Sequence, residues 1–392
     1  MASKALPLRV ETMELVVCDI QSTTAMSDES VHSRIQEIKR EMGEKLLILG
    51  HHYQRDSIVA HADLLGDSFL LAKMASESKA KNIVFCGVHF MAESADILTR
   101  DSQIVSLPNL RAGCSMADMA NLEQVVDCWD ELIDELDLID PADRDDPTAP
   151  AETGESCLIP ITYMNSSAEL KAFVGDHGGA VCTSSNAKGV LEWAFERAGE
   201  NGKVLFFPDQ HLGRNTGLSM DISEDEMAVW NPDSEADWEG LESSRIILWH
   251  GYCSVHRRFT TLQISELREK NPDALVVVHP ECPRQVVEAA DAVGSTEYIR
   301  RYVEDAPSGS YIGVGTEINM VKRLDAAYPD KIIECLDPMV CPCSTMYMIH
   351  PSYLLDVLER IKIGEAANQI IVPLETASSA HIALMRMLAI TS

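Results

Sequence analysis

Leu47-Ile-Leu-Gly-His51-His52-Tyr53, Ile159-Pro-Ile-Thr-Tyr163-Met-Asn165 and Leu275-Val-Val-Val-His279-Pro-Glu281 are three short apolar runs that each end in polar, chemically capable side chains. Runs of this length, rich in β-branched residues and alternating with amphipathic helical stretches, predict βα units and parallel sheets. Ligands gather at the carboxyl ends of parallel strands, so a site is expected where these runs turn polar.

Each run leads into a helix, and a hydroxyl-bearing element then opens a second helix: Gly66-Asp67-Ser68, Cys182-Thr183-Ser184-Ser185 and Gly294-Ser295-Thr296. Another strand follows in each series, Ile83-Val-Phe-Cys-Gly-Val-His89, Val204-Leu-Phe-Phe-Pro-Asp209 and Tyr311-Ile-Gly-Val-Gly-Thr316. A last strand runs into a cysteine: Val105-Ser-Leu-Pro before Gly113-Cys114-Ser115, Ile246-Ile-Leu-Trp before Gly251-Tyr-Cys253, and Ile332-Ile-Glu-Cys before Cys341-Pro-Cys343. Tyr163 lies 112 residues beyond His51, and His279 lies 116 beyond Tyr163. Four landmarks in one order, three times over, read as an internal repeat. The expected fold is α/β, with three similar αβα (parallel-sheet) domains. Residues 1–155 form the first, with an N-terminal extension and an acidic insertion. Residues 156–270 form the second, with another acidic insertion, and 271–392 form the third with C-terminal helices.

Composition bounds the function. The chain has 392 residues, 46% of them hydrophobic and 24% charged, which suits a protein that buries a core. Its net charge of −30 leaves nothing to neutralise phosphates, which argues against a nucleic-acid partner. Much of that charge sits in Asp127–Glu155 and Asp221–Glu242, read as solvated acidic insertions. No apolar run reaches the roughly 20 residues needed to span a bilayer. Met1 to Met26 has no basic patch followed by an apolar core, so a soluble, cytoplasmic protein without a membrane partner is expected.

The eleven cysteines form no CxxC pair, and a reducing compartment leaves thiolates free for metal. If three units pack around a common axis, Cys114, Cys253 and one residue of the Cys341-Pro-Cys343 pair approach one point. Three thiolates hold three corners of a four-iron cluster and leave the fourth iron open, which suits Lewis-acid chemistry better than electron transfer. Cys18, Cys86, Cys128, Cys157, Cys182, Cys282 and Cys335 read as buried packing residues. Ser68, Ser185, Ser295 and Thr296 stand where helices begin, either as ordinary caps or as part of an anion site.

The motifs together resemble the quinolinate synthase family. They are His51-His-Tyr-Gln54, Gly66-Asp-Ser68, Phe85-Cys-Gly-Val-His-Phe-Met91, Gly113-Cys-Ser-Met-Ala-Asp118, Tyr163-Met-Asn165, Cys182-Thr-Ser-Ser-Asn186, Pro208-Asp-Gln-His-Leu-Gly213, Trp249-His-Gly-Tyr-Cys-Ser-Val-His256, His279-Pro-Glu-Cys282, Gly294-Ser-Thr-Glu297 and Gly315-Thr-Glu317. The resemblance runs from about Lys45 to Leu358 and implies three αβα domains around a pseudo-threefold axis. It further implies condensation of iminoaspartate with dihydroxyacetone phosphate to quinolinate, with loss of phosphate and water, on a 4Fe-4S cluster. L-aspartate oxidase is the implied supplier of iminoaspartate. The implied cluster ligands are Cys114, Cys253 and Cys343, the last because Cys343-Ser-Thr-Met346-Tyr-Met348 fits the family's Cys-x-x-Met-x-Met spacing.

On this reading Tyr53, Tyr163 and Glu281 transfer protons, each tuned by its surroundings. His51, His256 and His279 donate to substrate carboxylate or phosphate oxygens, and Ser68, Asn165, Ser185, Ser295 and Thr296 fix the remaining oxygens. The competing readings are another cluster-dependent hydro-lyase, an iron–sulfur electron carrier and a zinc protein.

Overall fold

The computed structural model describes residues 26–337, 339 and 342–390; most of the N-terminal extension, Cys18 and Cys341 lie outside the described residues. The first unit holds β1 (Leu46–His51), β2 (Leu64–Gly66), β3 (Asn82–Cys86) and β4 (Ile104–Ser106). The second holds β5 (Leu158–Tyr163), β6 (Ala180–Cys182), β7 (Lys203–Phe207), β8 (Met227–Trp230) and β9 (Ile246–Trp249). The third holds β10 (Leu275–Val278), β11 (Ala292–Val293), β12 (Tyr311–Gly315) and β13 (Ile332–Cys335).

The sheet orders are β2-β1-β3-β4, β6-β5-β7-β9-β8 and β11-β10-β12-β13, and every pairing is parallel. The protein is therefore α/β with three parallel sheets of one topology, β8 being an addition at one edge. The physical cause is plain in β5 and β7, whose residues are buried at every position. A sheet covered by helices on both faces selects continuous apolar runs rather than alternation.

The strands β2, β6 and β11 are the short elements that the sequence showed only as hydroxyl-bearing turns. Their register matters for the site. His51 pairs with Gly66, Tyr163 with Cys182 and Val278 with Val293, so each hydroxyl-bearing loop lies beside a polar strand end.

The acidic segments are more structured than the expected solvated insertions. In the first, the helix Leu122–Glu135 buries Val125, Cys128, Trp129 and Leu132 while its carboxylates face outward, and Trp129 Nε1 donates to Asp140 at 2.8 Å. In the second, the apolar run Met227–Trp230 becomes the edge strand β8. Charge density had masked an amphipathic pattern in both.

Two apolar cores result. Phe259 to Leu336 form the core of the third unit, whereas Ile349, Leu354, Leu358, Ala383 and Leu384 join the core of the first two. The C-terminal helices, grouped by sequence with the third unit, thus cover the other two. Pro351–Lys362 packs on Asp28–Met42, where Arg34 Nε meets Glu359 at 2.6 Å. Leu374–Ala389 packs on Ala168–Asp176. A Cβ on Gly175 would stand 2.0 Å from the backbone oxygen of Ser379. Alanine normally favours a helix interior over glycine by about 1 kcal/mol. Here overpacking against backbone costs about 1–3 kcal/mol and reverses the sign. Gly175→Ala is expected to lower the chemical denaturation midpoint; an unchanged or raised midpoint would mean that the C-terminal helix slides freely on its neighbour.

Candidate functional site

The three cysteine loops are built alike. Each follows the last strand of its unit and enters a one-turn 3-10 helix that starts three residues after the cysteine: Ala117–Met119 after Cys114, His256–Arg258 after Cys253, Met346–Met348 after Cys343. In each, the cysteine carbonyl accepts from the amide four residues on: Asp118 at 3.1 Å, Arg257 at 3.0 Å and Tyr347 at 2.9 Å. Such a turn commits the cysteine carbonyl to the backbone and leaves the thiol free to project. It is Cys343 that occupies the equivalent place in the third unit.

The three thiols face one cleft of about 650 Å³, its open mouth included. Of the residues singled out in the sequence, His51, Tyr53, Ser68, Cys114, Tyr163, Asn165, Cys253, His279, Glu281, Thr296 and Cys343 line it. Met91, Met116 and Met346 add an apolar wall, while Phe69 and Phe90 also line the cleft. No lysine or arginine does so among the described residues. Burial pushes the Cys114 thiol up to about 12 and the Cys253 thiol well above its ordinary range, the neighbouring thiols adding to both. With no cation at hand these thiols keep their protons, and a thiolate forms there only when a metal takes the proton's place. Among the described residues, Cys253, His256 and Glu281 are the one set of three such donors that closes to within 4.8 Å.

Three of the sequence-derived residues lie elsewhere. Ser295 accepts the Tyr298 amide at 3.3 Å as the N-cap of Thr296–Asp305. Ser185 donates to Asp67 at 2.9 Å, and it is Asp67, not Ser68, that caps the helix Ser68–Glu77. His256 is buried behind the cleft wall.

From there His256 organises a chain of short hydrogen bonds. Tyr163 donates to Glu281 Oε1 at 2.6 Å, and His256 Nδ1 meets Glu281 Oε2 at 2.7 Å. His256 Nε2 lies 3.1 Å from Thr316 Oγ1, which is 2.7 Å from the Tyr53 hydroxyl. One proton arrangement satisfies every link: Tyr53 donates to Thr316, Thr316 to Nε2, and Nδ1–H and Tyr163 both to the Glu281 carboxylate. Thr316, fully buried, was not singled out from the sequence. Its signal was present, because it closes the third strand of its series as Asp209 closes the equivalent strand of the second unit.

The electrostatics follow. Burial alone would raise Glu281, but His256 and His279 beside it, with the His256 and Tyr163 hydrogen bonds, outweigh that and hold it well below the ordinary carboxylate range. Burial, then the Glu281 charge, push Asp209 well above that range. The same two causes raise both Tyr53 and Tyr163. Burial lowers His279 to about 3, and it lies stacked on His256 with ring centroids 4.4 Å apart. Asn165 Oδ1 and Thr296 Oγ1 are buried and, among the described residues, without a partner, although both residues line the cleft. Buried polar atoms are rarely left orphaned, which makes these two candidates for contact with a ligand.

Three parallel-sheet units bring thiols, phenols and a buried carboxylate to one cleft of an α/β protein, a set of residue types suited to metal ligation and acid–base chemistry. Comparison with known proteins narrows this. The family model described as NadA, quinolinate synthetase A protein, matches residues 33–389. A quinolinate synthase of Corynebacterium glutamicum is 54% identical over 368 residues, covering 93% of this chain and 88% of the relative. One from Rhodopirellula baltica is 46% identical over 382 residues, with 93% and 92% covered, and one from Herpetosiphon aurantiacus is 50% identical over 369, with 93% and 94% covered. The chain belongs to the quinolinate synthase family, enzymes of NAD biosynthesis. Among the described residues no helix is long and apolar enough to cross a membrane.

Proposed function

We propose that the protein condenses iminoaspartate with dihydroxyacetone phosphate, releasing phosphate and two waters and leaving quinolinate. The observation that carries this reading is the threefold cysteine turn at a cleft also lined by Tyr53, Tyr163 and Glu281. Cys114, Cys253 and Cys343 are the proposed ligands of a 4Fe-4S cluster, and three soft thiols beside a methionine wall, with no lysine or arginine among the described lining residues, suit that group. When bound, a cluster held by three thiolates supplies a Lewis-acidic iron with an open position, able to polarise a substrate hydroxyl or carboxylate.

The rest is the work of the chain's own residues. His51 and His279 stand at the ends of parallel strands, where their ring N–H groups meet substrate carboxylate or phosphate oxygens. Ser68, at the start of a helix that Asp67 caps, adds a hydroxyl that donates to a substrate oxygen. Thr296 donates its unpartnered hydroxyl to a remaining carboxylate or phosphate oxygen, and Asn165 Oδ1, also unpartnered among the described residues, accepts from a substrate hydroxyl or N–H group. Ser185, Ser295 and His256 support this set from behind. Phe69, Phe90 and the methionines exclude water, which strengthens each polar contact. Tyr53 and Tyr163 reach the cleft at the two ends of the Thr316–His256–Glu281 chain. A proton taken at either phenol passes along that phenol's side of the chain to the Glu281 carboxylate, on which both sides converge.

The proposed setting is the cytoplasm, with L-aspartate oxidase supplying iminoaspartate. The test is anaerobic purification followed by metal, sulfide and product analysis. About four iron per chain and quinolinate from the two named substrates are expected. Water loss from a single carboxylic acid with no carbon–carbon bond formed would favour another hydro-lyase. A redox-active cluster with no substrate response would favour an electron carrier. Zinc without iron would favour a mononuclear centre at Cys253, His256 and Glu281.

A further inference from the structure

Tyr53 belongs to the first unit, where its amide donates to His51 Nδ1 at 3.1 Å, and its hydroxyl lies 3.3 Å from His256 Nε2, but most of the groups that hold it belong to the third. Its hydroxyl meets Thr316 at the end of β12. Its backbone carbonyl accepts from Asn319 Nδ2 at 3.3 Å. The carbonyls on either side are held by Arg323, which donates from Nη1 to Gln54 at 2.7 Å and from Nη2 to His52. Three successive carbonyls of the turn after β1 are thus taken by two side chains of one helix, Ile318–Ala327. Asn319 and Arg323 are four residues apart and so share a face of that helix. Neither is left to wander. Asn319 Nδ2 is also held at 2.9 Å by Glu317 Oε1, the carboxylate that caps the helix. Arg323 Nη1 is braced at 3.0 Å by Asp56, and its side chain is only 18% exposed. A guanidinium spanning two carbonyls fixes their separation as well as their distance, because its donors form a rigid fork.

From this we infer that Asn319 and Arg323 are positioning residues for Tyr53, setting the phenol from the backbone side while Thr316 sets it from the hydroxyl side. This rests on the proposed proton-transfer role of Tyr53. A turn held only through its own unit would let the ring drift with every movement between units. Gripping the carbonyls 52, 53 and 54 makes the turn move with the third unit, which carries Glu281 and Thr316. A catalytic group displaced by about 1 Å costs up to about 100-fold in rate.

The test is a double-mutant cycle on the anaerobic holoenzyme. Arg323→Met keeps an unbranched apolar stem and removes the donors. It is expected to lower kcat about 10- to 100-fold with a smaller change in KM, at unchanged iron content. In a Tyr53→Phe background, where no phenol remains to be positioned, the same substitution is expected to lower kcat by less than about 2-fold. Asn319→Ala, which removes one donor from a helix face, is expected to follow the same pattern at smaller size and serves if Arg323→Met fails to fold. Equal losses in both backgrounds would show that the helix merely glues two units together, and would overturn the inference. If Tyr53→Phe alone turns over like the wild type, the role of Tyr53 falls first, and the positioning role falls with it.

Discussion

Cys114→Ser and Cys253→Ser are expected to yield colourless protein with iron near zero and no quinolinate formation. Both residues are half-buried at the cleft, and desolvation pushes the Cys114 thiol up to about 12 and the Cys253 thiol well above its ordinary range. The free energy of forming a thiolate there has to come from the metal, so three thiolates act together and losing one forfeits more than a third of the site. A serine hydroxyl is a far poorer ligand for iron than a thiolate. The third position is tested by the same measurement. Cys343 shares the turn geometry of the other two, with its carbonyl accepting from Tyr347 at 2.9 Å. Cys343→Ser is therefore expected to lose the cluster and Cys341→Ser largely to keep it. The reverse pair of results would move the ligand to Cys341 and spare the wider reading. As a control, Cys128 lies on the buried face of Leu122–Glu135, outside the cleft, and Cys128→Ala is expected to retain full iron. A full cluster in either Cys114→Ser or Cys253→Ser would sink the arrangement of one ligand per unit.

What could be read in the sequence was whatever is local. Strands buried on both faces announce themselves as apolar runs, and a repeat announces itself by order, so the three units and their polar strand ends were legible from Leu47, Ile159 and Leu275 onward. The strands β2, β6 and β11 were not, because two or three residues carry no periodicity. Nor was the seat of the C-terminal helices. That Leu374–Ala389 lies on the second unit depends on the close approach of Gly175 to Ser379, a long-range fit that leaves no local pattern. At the site, residue type pointed to cysteines, phenols and a Glu281 that the fold does bring to one cleft. It could not show that the hydroxyls of Ser295 and Ser185 meet a helix cap and Asp67. Nor could it show that His256 lies behind the cleft wall, bonded to Glu281. Thr316 was passed over because a threonine at the end of a strand is ordinary, and only the approach of two units reveals what its hydroxyl touches.

Glu281→Gln should keep its cluster and its substrate affinity and lose about 100-fold or more in turnover. In the wild type both carboxylate oxygens act as acceptors, one from Tyr163 at 2.6 Å and one from His256 Nδ1 at 2.7 Å. A glutamine has nearly the same size but only one acceptor oxygen, and its nitrogen donates. If the amide oxygen keeps Tyr163, the nitrogen turns its N–H toward Nδ1. The imidazole must then switch tautomer, so that Nε2 donates to Thr316 and the orientation of the whole chain to Tyr53 reverses. If the oxygen keeps His256 instead, Tyr163 loses its acceptor. In either case the negative charge on which both phenols' hydrogen bonds converge is gone, and neither phenol can pass a proton to it. Tyr163→Phe removes the other end of the same link and should cost a similar factor, provided the hydroxyl rather than the ring is what matters. Because the two residues act as one unit, the double variant is expected to be scarcely worse than either single one. Iron content must be measured beside turnover, since activity lost together with the cluster says nothing about protons. If both variants hold a full cluster and work within a few-fold of wild type, Glu281 and Tyr163 serve to position or pack, and proton transfer belongs to another group.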